Sequence, residues 1–252
     1  MKTLAAFFAE NPRLAVAFSG GADSAYLLCA AKNAGADVHA YFLDTPFCPA
    51  FEKRDAETVA GALHVPLTVL PLDVLALQSV AANGPERCYF CKRALFSALL
   101  ARARQDGYPL LCDGTNASDD AGDRPGMRAI SELGIVSPLR LCGLTKPEIR
   151  RLSREAGLST AAKPAYACLA TRVPTGTAIT REALCRIEGA EDALFAMGYT
   201  DFRARLRGDR GLLQFTAAQL PGALEKENEI AARLAPYLSV IEIDMMPREA
   251  SC

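Results

Sequence analysis

The sequence predicts an α/β fold in which a parallel sheet carries helices on both faces, followed by a smaller α+β domain. Three observations predict it. Short apolar runs alternate with helical stretches through the first two thirds of the 252 residues, the order expected of a covered parallel sheet. A glycine turn, Ser19-Gly-Gly-Ala-Asp-Ser24, stands between the first clear strand and the first long helix. The composition changes after Arg172, where Val173-Pro-Thr-Gly176 reads as a turn, so the chain divides into 1–172 and 173–252.

The N-terminal stretch has one Lys and a short apolar run interrupted by Glu10, with no small-x-small cleavage site. It reads as an amphipathic first helix rather than a signal peptide. Arg13–Phe18 is a buried strand, Asp23–Asn33 a helix and Asp37–Leu43 a second strand. Pro49–Leu63 is helical, Pro66–Leu72 is a third strand, Tyr89–Gln105 is helical and Pro109–Asp113 is strand-like. Thr145-Lys-Pro-Glu148 is a capping box. Ile149, Leu152 and Ala156 then give an apolar stripe that Gly157 closes. In the small domain the pattern predicts a helix over Arg181–Met197 and strands over Asp201–Leu206 and Gly211–Thr216, joined by Arg207-Gly-Asp-Arg210. A helix over Pro221–Leu234 and a last strand over Ser239–Met245 follow.

Lys+Arg (28) nearly balances Asp+Glu (29), for a net charge of −1. That balance disfavours a protein that holds nucleic acid by bulk electrostatics. No apolar run approaches the roughly 18 residues needed to cross a bilayer, so the chain reads as cytoplasmic. The 2 histidines, His39 and His64, have no metal spacing. Of the 9 cysteines, Cys29 and Cys112 sit in apolar runs and read as small buried hydrophobes.

The Ser19–Ser24 turn carries chemistry. Gly20 and Gly21 tolerate positive φ and let the backbone close on a ligand. The amides of the turn converge at the positive end of the helix that begins near Asp23, and Ser19 and Ser24 add hydroxyl donors. This is a cradle for polyphosphate, distinct from the longer Lys-Ser/Thr loop of Walker A. An Asp inside an anion site repels phosphate unless a cation stands between them, so Asp23 implies Mg²⁺.

With its strand before and helix after, Ser19-Gly-Gly-Ala-Asp-Ser24 resembles the pyrophosphate loop of the ATP pyrophosphatases, a Rossmann-like α/β superfamily. That resemblance implies cleavage of ATP between the α and β phosphates, with AMP placed on the substrate. Four further segments narrow it: Arg87-Cys-Tyr-Phe-Cys-Lys92; Asp113-Gly-Thr-Asn116 with Asp119-Asp120 and Asp123-Arg-Pro-Gly126; Ser137-Pro-Leu139 with Gly143-Leu-Thr-Lys146; and Lys163-Pro-Ala-Tyr-Ala-Cys-Leu-Ala-Thr-Arg172. Together, from about residue 13 to residue 245, they are similar to the LarE family of ATP-dependent sulfur transferases. That family matures the nickel-pincer nucleotide cofactor of lactate racemase. The resemblance implies adenylation of a carboxyl group of pyridinium-3,5-biscarboxylic acid mononucleotide, then displacement of AMP by sulfur, in two rounds. Ser19, Gly20, Gly21, Asp23 and Ser24 would hold MgATP, and Cys168 would be the catalytic thiol.

The source of sulfur is left open by the cysteines. In one reading Cys168 gives up its own sulfur and becomes dehydroalanine, with Lys163 and Arg172 nearby in sequence to lower its pKa. In a second, Cys88, Cys91 and Cys168 hold a 4Fe–4S cluster whose free iron carries a sulfide, as the resemblance to a subset of the family implies. In a third, Cys88 and Cys91 form a redox disulfide or a zinc site. Free sulfide or a cysteine desulfurase would supply the sulfur.

Asn116 and Asp44, each after a strand, are candidates for the nucleotide, with Thr45 beside Asp44. Asp119, Asp120 and Asp123 are candidates for help with Mg²⁺. Arg203, Arg205 and Arg207 share one face of a strand. The resemblance places a matching Arg-x-Arg pair in a phosphate-binding vestibule between subunits, so Arg203 and Arg205 would take the substrate's phosphate, with Glu191 nearby. It also implies a hexamer built from trimers. A tRNA-thiolating relative is the alternative enzyme, and the near-neutral charge and lack of zinc-ribbon Cys pairs weigh against it.

Overall fold

The computed structural model describes residues 3–119 and 125–249. The chain forms two compact units, Met1–Val74 with Glu86–Lys163, and Leu75–Pro85 with Pro164–Cys252.

The first unit opens with α1 (Leu4–Glu10), β1 (Arg13–Ala17), α2 (Ala22–Asn33), β2 (Asp37–Asp44), α3 (Ala50–Ala62) and β3 (Leu67–Pro71). Its strands pair in parallel, in the order β3-β2-β1-β4, where β4 is Leu111–Cys112. β4 is shorter than the expected Pro109–Asp113, and the sheet is extended beside it by a bridge from Cys112 to Val136. The period of two decides the layers. Leu14, Val16, Val38, Ala40 and Phe42 join one core with Phe7, Leu27, Leu28, Val59 and Ile149. Ala15 and Tyr41 face the other way, into a core with Leu99, Ala103 and Ile130. Helices therefore cover both faces, as the alternating pattern predicted.

After β3 the chain passes through α4 (Gln78–Ala81), which belongs to the second unit, and returns in α5 (Arg87–Gln105). α6 (Pro125–Glu132) and α7 (Pro138–Leu141) are short helices that the periodicity did not mark. α8 (Lys146–Glu155) starts as predicted. The Thr145 N–H donates to Glu148 Oε2 at 2.9 Å, and Gly157, at φ +69°, ends the helix. Strand order places β1 between β2 and β4, so the loops after β1 and β4 meet at the carboxyl end of the sheet. Open α/β folds bind ligands at such a switch point.

The second unit holds α9 (Arg181–Ala196), β5 (Phe202–Arg207), β6 (Arg210–Phe215), α10 (Leu220–Glu225), α11 (Glu227–Leu234) and β7 (Val240–Ile243). β5 and β6 are antiparallel, and β7 runs parallel to β6. The single helix expected over Pro221–Leu234 is two, because Lys226 leaves helical geometry at φ −106°, ψ 18°. No glycine or proline stands at the break, so the sequence gives it no punctuation. The Leu75–Pro85 segment is fastened by Asn83, a fully buried residue at φ +54°. Its side-chain amide donates to the carbonyls of Pro174 and Thr177, both at 2.9 Å.

Candidate active site

The phosphate loop joins β1 to α2. Gly20 has φ +70°, a conformation that favours glycine. A Cβ there would stand 3.0 Å from the Ala56 backbone nitrogen of α3, so conformation and close approach both call for glycine. Gly21 is the N-cap of α2 and supplies no side-chain cap, which leaves the N–H groups of the first turn for a ligand. Ser19 Oγ and Ser24 Oγ lie 3.2 Å apart, and Ser24 Oγ donates to the Gly21 carbonyl at 3.3 Å. The hydroxyls thus brace the loop from inside. Outside it, Lys163 Nζ donates to the Gly20 carbonyl at 3.3 Å and pairs with Asp55 at 2.7 Å.

The loop after β4 closes the site. A Cβ on Gly114 would stand 2.9 Å from the Ser24 backbone nitrogen, so the two loops touch through bare backbone. Asp113 is buried and accepts from Ser137 Oγ and Thr115 Oγ1, both at 2.6 Å. Between the loops lies a cavity of about 280 Å³ lined by Ser19, Gly21, Asp23, Ser24, Asp113, Thr115 and Asp119, with Lys92 and Phe96 from α5. Asn116 is buried and shapes its own loop: its Oδ1 accepts from Ser118 N–H at 2.7 Å and its N–H donates to Asp119 at 2.8 Å. Asp120 and Asp123 lie outside the described residues. Asp44, at the end of β2, pairs with Lys53 at 2.7 Å, and Thr45 Oγ1 accepts from the Phe47 N–H at 3.2 Å.

Asp23 divides its oxygens. Oδ2 meets Lys146 Nζ at 2.6 Å, while Oδ1 is buried and, among the described residues, has no hydrogen-bond partner. The cation that the sequence demanded beside Asp23 is thus supplied in part by Lys146. The orphaned oxygen fits a hard, oxygen-seeking ion such as Mg²⁺. Lys146 escaped the sequence reading because it looked like part of a helix start, and 123 positions separate it from Asp23.

In the second unit, Cys168 is exposed and caps a turn of 3₁₀ helix over Leu169–Arg172. Arg172 is fully buried. Its Nε and Nη2 grip Glu191 at 2.9 and 3.1 Å, and its Nη1 donates to the Ala167 carbonyl at 2.8 Å. Burial pulls the Arg172 pKa down, but the Glu191 carboxylate outweighs it and the net direction is up. Glu191 also accepts from Tyr166 and, at 2.9 Å, from the Ala204 N–H of β5. Of the two cations expected to help the Cys168 thiol, Lys163 is engaged by Asp55 and the Gly20 carbonyl, while Arg172, held by Glu191 and the loop backbone, still interacts with Cys168 through charge.

Arg203 is buried in β5 and donates to the carbonyls of Phe202 and Ala165 at 2.8 and 3.2 Å. Burial, then Arg172 and Arg248, push its pKa down to about 10. Arg205 donates to Gln214 at 2.6 Å and to the Thr171 carbonyl at 2.8 Å, and the same causes lower its pKa. Guanidiniums that crowd one another in low dielectric favour an anion among them.

Cys88 and Cys91 stand one turn apart at the start of α5, the first exposed and the second half-buried. Their soft donors suit a metal or cluster. Among the described residues, no three His, Cys, Asp or Glu side chains gather into a group that could hold a metal ion. Also among the described residues, no helix is long and apolar enough to cross a membrane.

No family model matches the chain. It is 33% identical to an uncharacterized protein of Synechocystis sp., over 87% of this chain and 82% of that one. It is 30% identical to the pyridinium-3,5-bisthiocarboxylic acid mononucleotide synthase of Lactiplantibacillus plantarum, over 86% of this chain and 80% of that one. A weaker likeness, 28% identity over 59% of this chain and 51% of the relative, links it to the tRNA-specific 2-thiouridylase MnmA of Acidithiobacillus ferrooxidans.

Proposed function

Since the chain belongs to the LarE family of pyridinium-3,5-bisthiocarboxylic acid mononucleotide synthases, we propose that it converts the carboxylates of pyridinium-3,5-biscarboxylic acid mononucleotide to thiocarboxylates for a nickel-pincer cofactor. Membership makes it an ATP-using sulfurtransferase of the pyrophosphate-loop superfamily. The observation that carries the proposal is the Ser19–Ser24 loop, with its left-handed Gly20 and its helix start without a side-chain cap, opening on a cavity.

A substrate carboxylate oxygen attacks the α-phosphorus of ATP, and the α–β bond breaks with its electron pair on pyrophosphate. The first-turn amides of α2 and the hydroxyls of Ser19 and Ser24 hold that pyrophosphate. Asp23, with one carboxylate oxygen buried and unpartnered among the described residues, would hold Mg²⁺, which would supply charge neutralisation for the triphosphate. A sulfur nucleophile then attacks the acyl carbon and AMP leaves. In this reading the ATP module, expected over 1–172, is the first unit, and the substrate and oligomerisation module of a hexamer, expected over 173–252, is the second, which also takes Leu75–Pro85 and begins at Pro164. Arg203 and Arg205 bind the substrate's phosphate, and Asp44 and Asn116 lie toward the adenosine, Asn116 by shaping its loop.

For the sulfur, the cluster reading asks Cys88 and Cys91, soft donors one turn apart in α5, to hold with Cys168 a 4Fe–4S cluster that presents a sulfide; no such group of three is gathered among the described residues. The second reading, a consumed Cys168, is favoured by that residue's exposure on a loop braced by Arg172. Intact-protein mass after anaerobic turnover with sulfide tests the choice. The cluster reading expects several sulfurs per chain and no change in mass. A loss of about 34 Da, the H₂S eliminated from a cysteine, in most chains would leave the consumed Cys168 instead.

A further inference from the structure

The cavity of the phosphate loop is lined by a lysine to which neither the loop motif nor the sulfur chemistry gives a role. Lys92 follows Cys91 in α5 and shares the cavity with Ser19, Asp23, Ser24 and Asp119. It is half-buried, and among the described residues no hydrogen bond or ion pair holds its ammonium. The other lysines beside the loop are committed: Lys146 to Asp23 at 2.6 Å and Lys163 to Asp55 at 2.7 Å. Asp23, Asp113 and Asp119 line the same cavity, yet among the described residues none of them pairs with this half-buried ammonium, and an anion in the cavity would satisfy it.

The reach of Lys92 has a cause in α6. A Cβ on Gly126 would stand 2.9 Å from Lys92 Cδ, 3.1 Å from Cε and 3.4 Å from Nζ. The lysine stem therefore crosses the bare Cα of Gly126 on its way to the cavity. Any side chain there displaces the end of a flexible lysine rather than backbone, so the fold tolerates it while the ammonium moves. Cys88, Lys92 and Phe96 also form one stripe of α5, at i, i+4 and i+8. Lys92 and Phe96 line the cavity, and Cys88 continues the same stripe one turn toward the helix start.

We propose that Lys92 is the cation that binds the triphosphate and stabilises the departing pyrophosphate, and that Gly126 is its positioning residue. The proposal rests on the reading of the cavity as the ATP site. As the carboxylate oxygen bonds to the α-phosphorus, the electron pair of the breaking bond passes to pyrophosphate. The Lys92 ammonium meets that charge and keeps its proton.

The test is pyrophosphate release by the full chain with MgATP and the biscarboxylate mononucleotide, together with inhibition by added inorganic pyrophosphate. Lys92→Met keeps the stem and removes the charge. It should lower kcat about 100-fold, the usual effect of deleting one preorganised donor, and weaken pyrophosphate inhibition in parallel. Gly126→Ala should act in the same direction by about tenfold. Added to Lys92→Met it should change nothing further, because its effect runs through the lysine. A Lys92→Met enzyme with wild-type kcat and wild-type pyrophosphate inhibition would overturn the proposal alone. A Gly126→Ala loss of equal size in both backgrounds would overturn the positioning role. A wild-type chain that releases no pyrophosphate from ATP would remove the site reading itself, and the proposal with it.

Discussion

The phosphate loop and the arginine cluster are both built for anions, and they are built in opposite ways. The loop uses backbone: a left-handed Gly20, an uncapped helix start, and Gly114 with no side chain to hold the loops apart. The cluster uses side chains: Arg172 and Arg203 over Tyr166, at 4.6 and 5.5 Å from the ring centroid, and Arg205 held to the Thr171 carbonyl. Backbone amides carry no net charge and cost little to bury once the helix exists. Buried guanidiniums must be matched or they destabilise. Damage to the loop should therefore appear as lost rate, and damage to the cluster first as altered stability.

The largest effect is expected at the buried ion pair. Arg172→Met strands Glu191, whose side chain is 2% exposed. It should remove about 3–5 kcal/mol of stability, the usual result of breaking a buried pair, read as a lower denaturant midpoint. An unchanged midpoint would break the comparison, because the cluster would then be no more fold-critical than the loop. Next comes Gly20→Ala. The strained φ and the contact with Ala56 should displace the loop and lower pyrophosphate release by about 100-fold, with α/β secondary structure retained by circular dichroism. Asp23→Asn should lower the same rate by a comparable factor and raise the Mg²⁺ needed for half-maximal rate. An unchanged Mg²⁺ requirement would leave Lys146 as the sole cation at that oxygen pair.

Arg203 sharpens the contrast inside the cluster. Its depressed pKa means that the fold disfavours its charged form, a penalty fully present below about pH 10. Arg203→Met should therefore raise the melting temperature at pH 7 while weakening binding of the mononucleotide about tenfold, with MgATP affinity unchanged. A loss of both stability and ATP binding would show that Arg203 is structural.

The smallest effect concerns α8. Hydrogen bonds from the Thr145 hydroxyl and N–H hold the Glu148 pKa below its ordinary value. The cap's contribution is then present above the unfolded pKa and fades as pH falls through the folded one. Glu148→Gln should narrow the difference in melting temperature between pH 7 and pH 3, and an unchanged difference would remove the cap from the pH response.

The same contrast explains what the sequence disclosed. The parallel sheet, the loop and the cap of α8 are local: alternation along β1, two adjacent glycines, and a Thr and Glu three residues apart. The partners of Asp23, Arg172 and Lys92 were hidden, since Lys146, Glu191 and Gly126 have no local pattern that ties them to those residues. Asn116 was read as a ligand because it follows a strand, and the hydrogen bond that its Oδ1 accepts from the Ser118 N–H was not legible from that position. The α10–α11 break was missed because the polar run Glu225-Lys-Glu-Asn-Glu229 carries no glycine or proline to mark it.

The central claim is that this loop drives transfer of an AMP group to a substrate carboxylate before sulfur arrives. It is tested most directly by labelling both carboxylates of the biscarboxylate mononucleotide with oxygen-18 and reading the mass of the AMP released with MgATP and sulfide. An acyl-adenylate requires that the oxygen lost from each carboxylate leave with AMP, so the account predicts one heavy oxygen in every AMP formed during thiolation. Unlabelled AMP alongside thiocarboxylate product would contradict it.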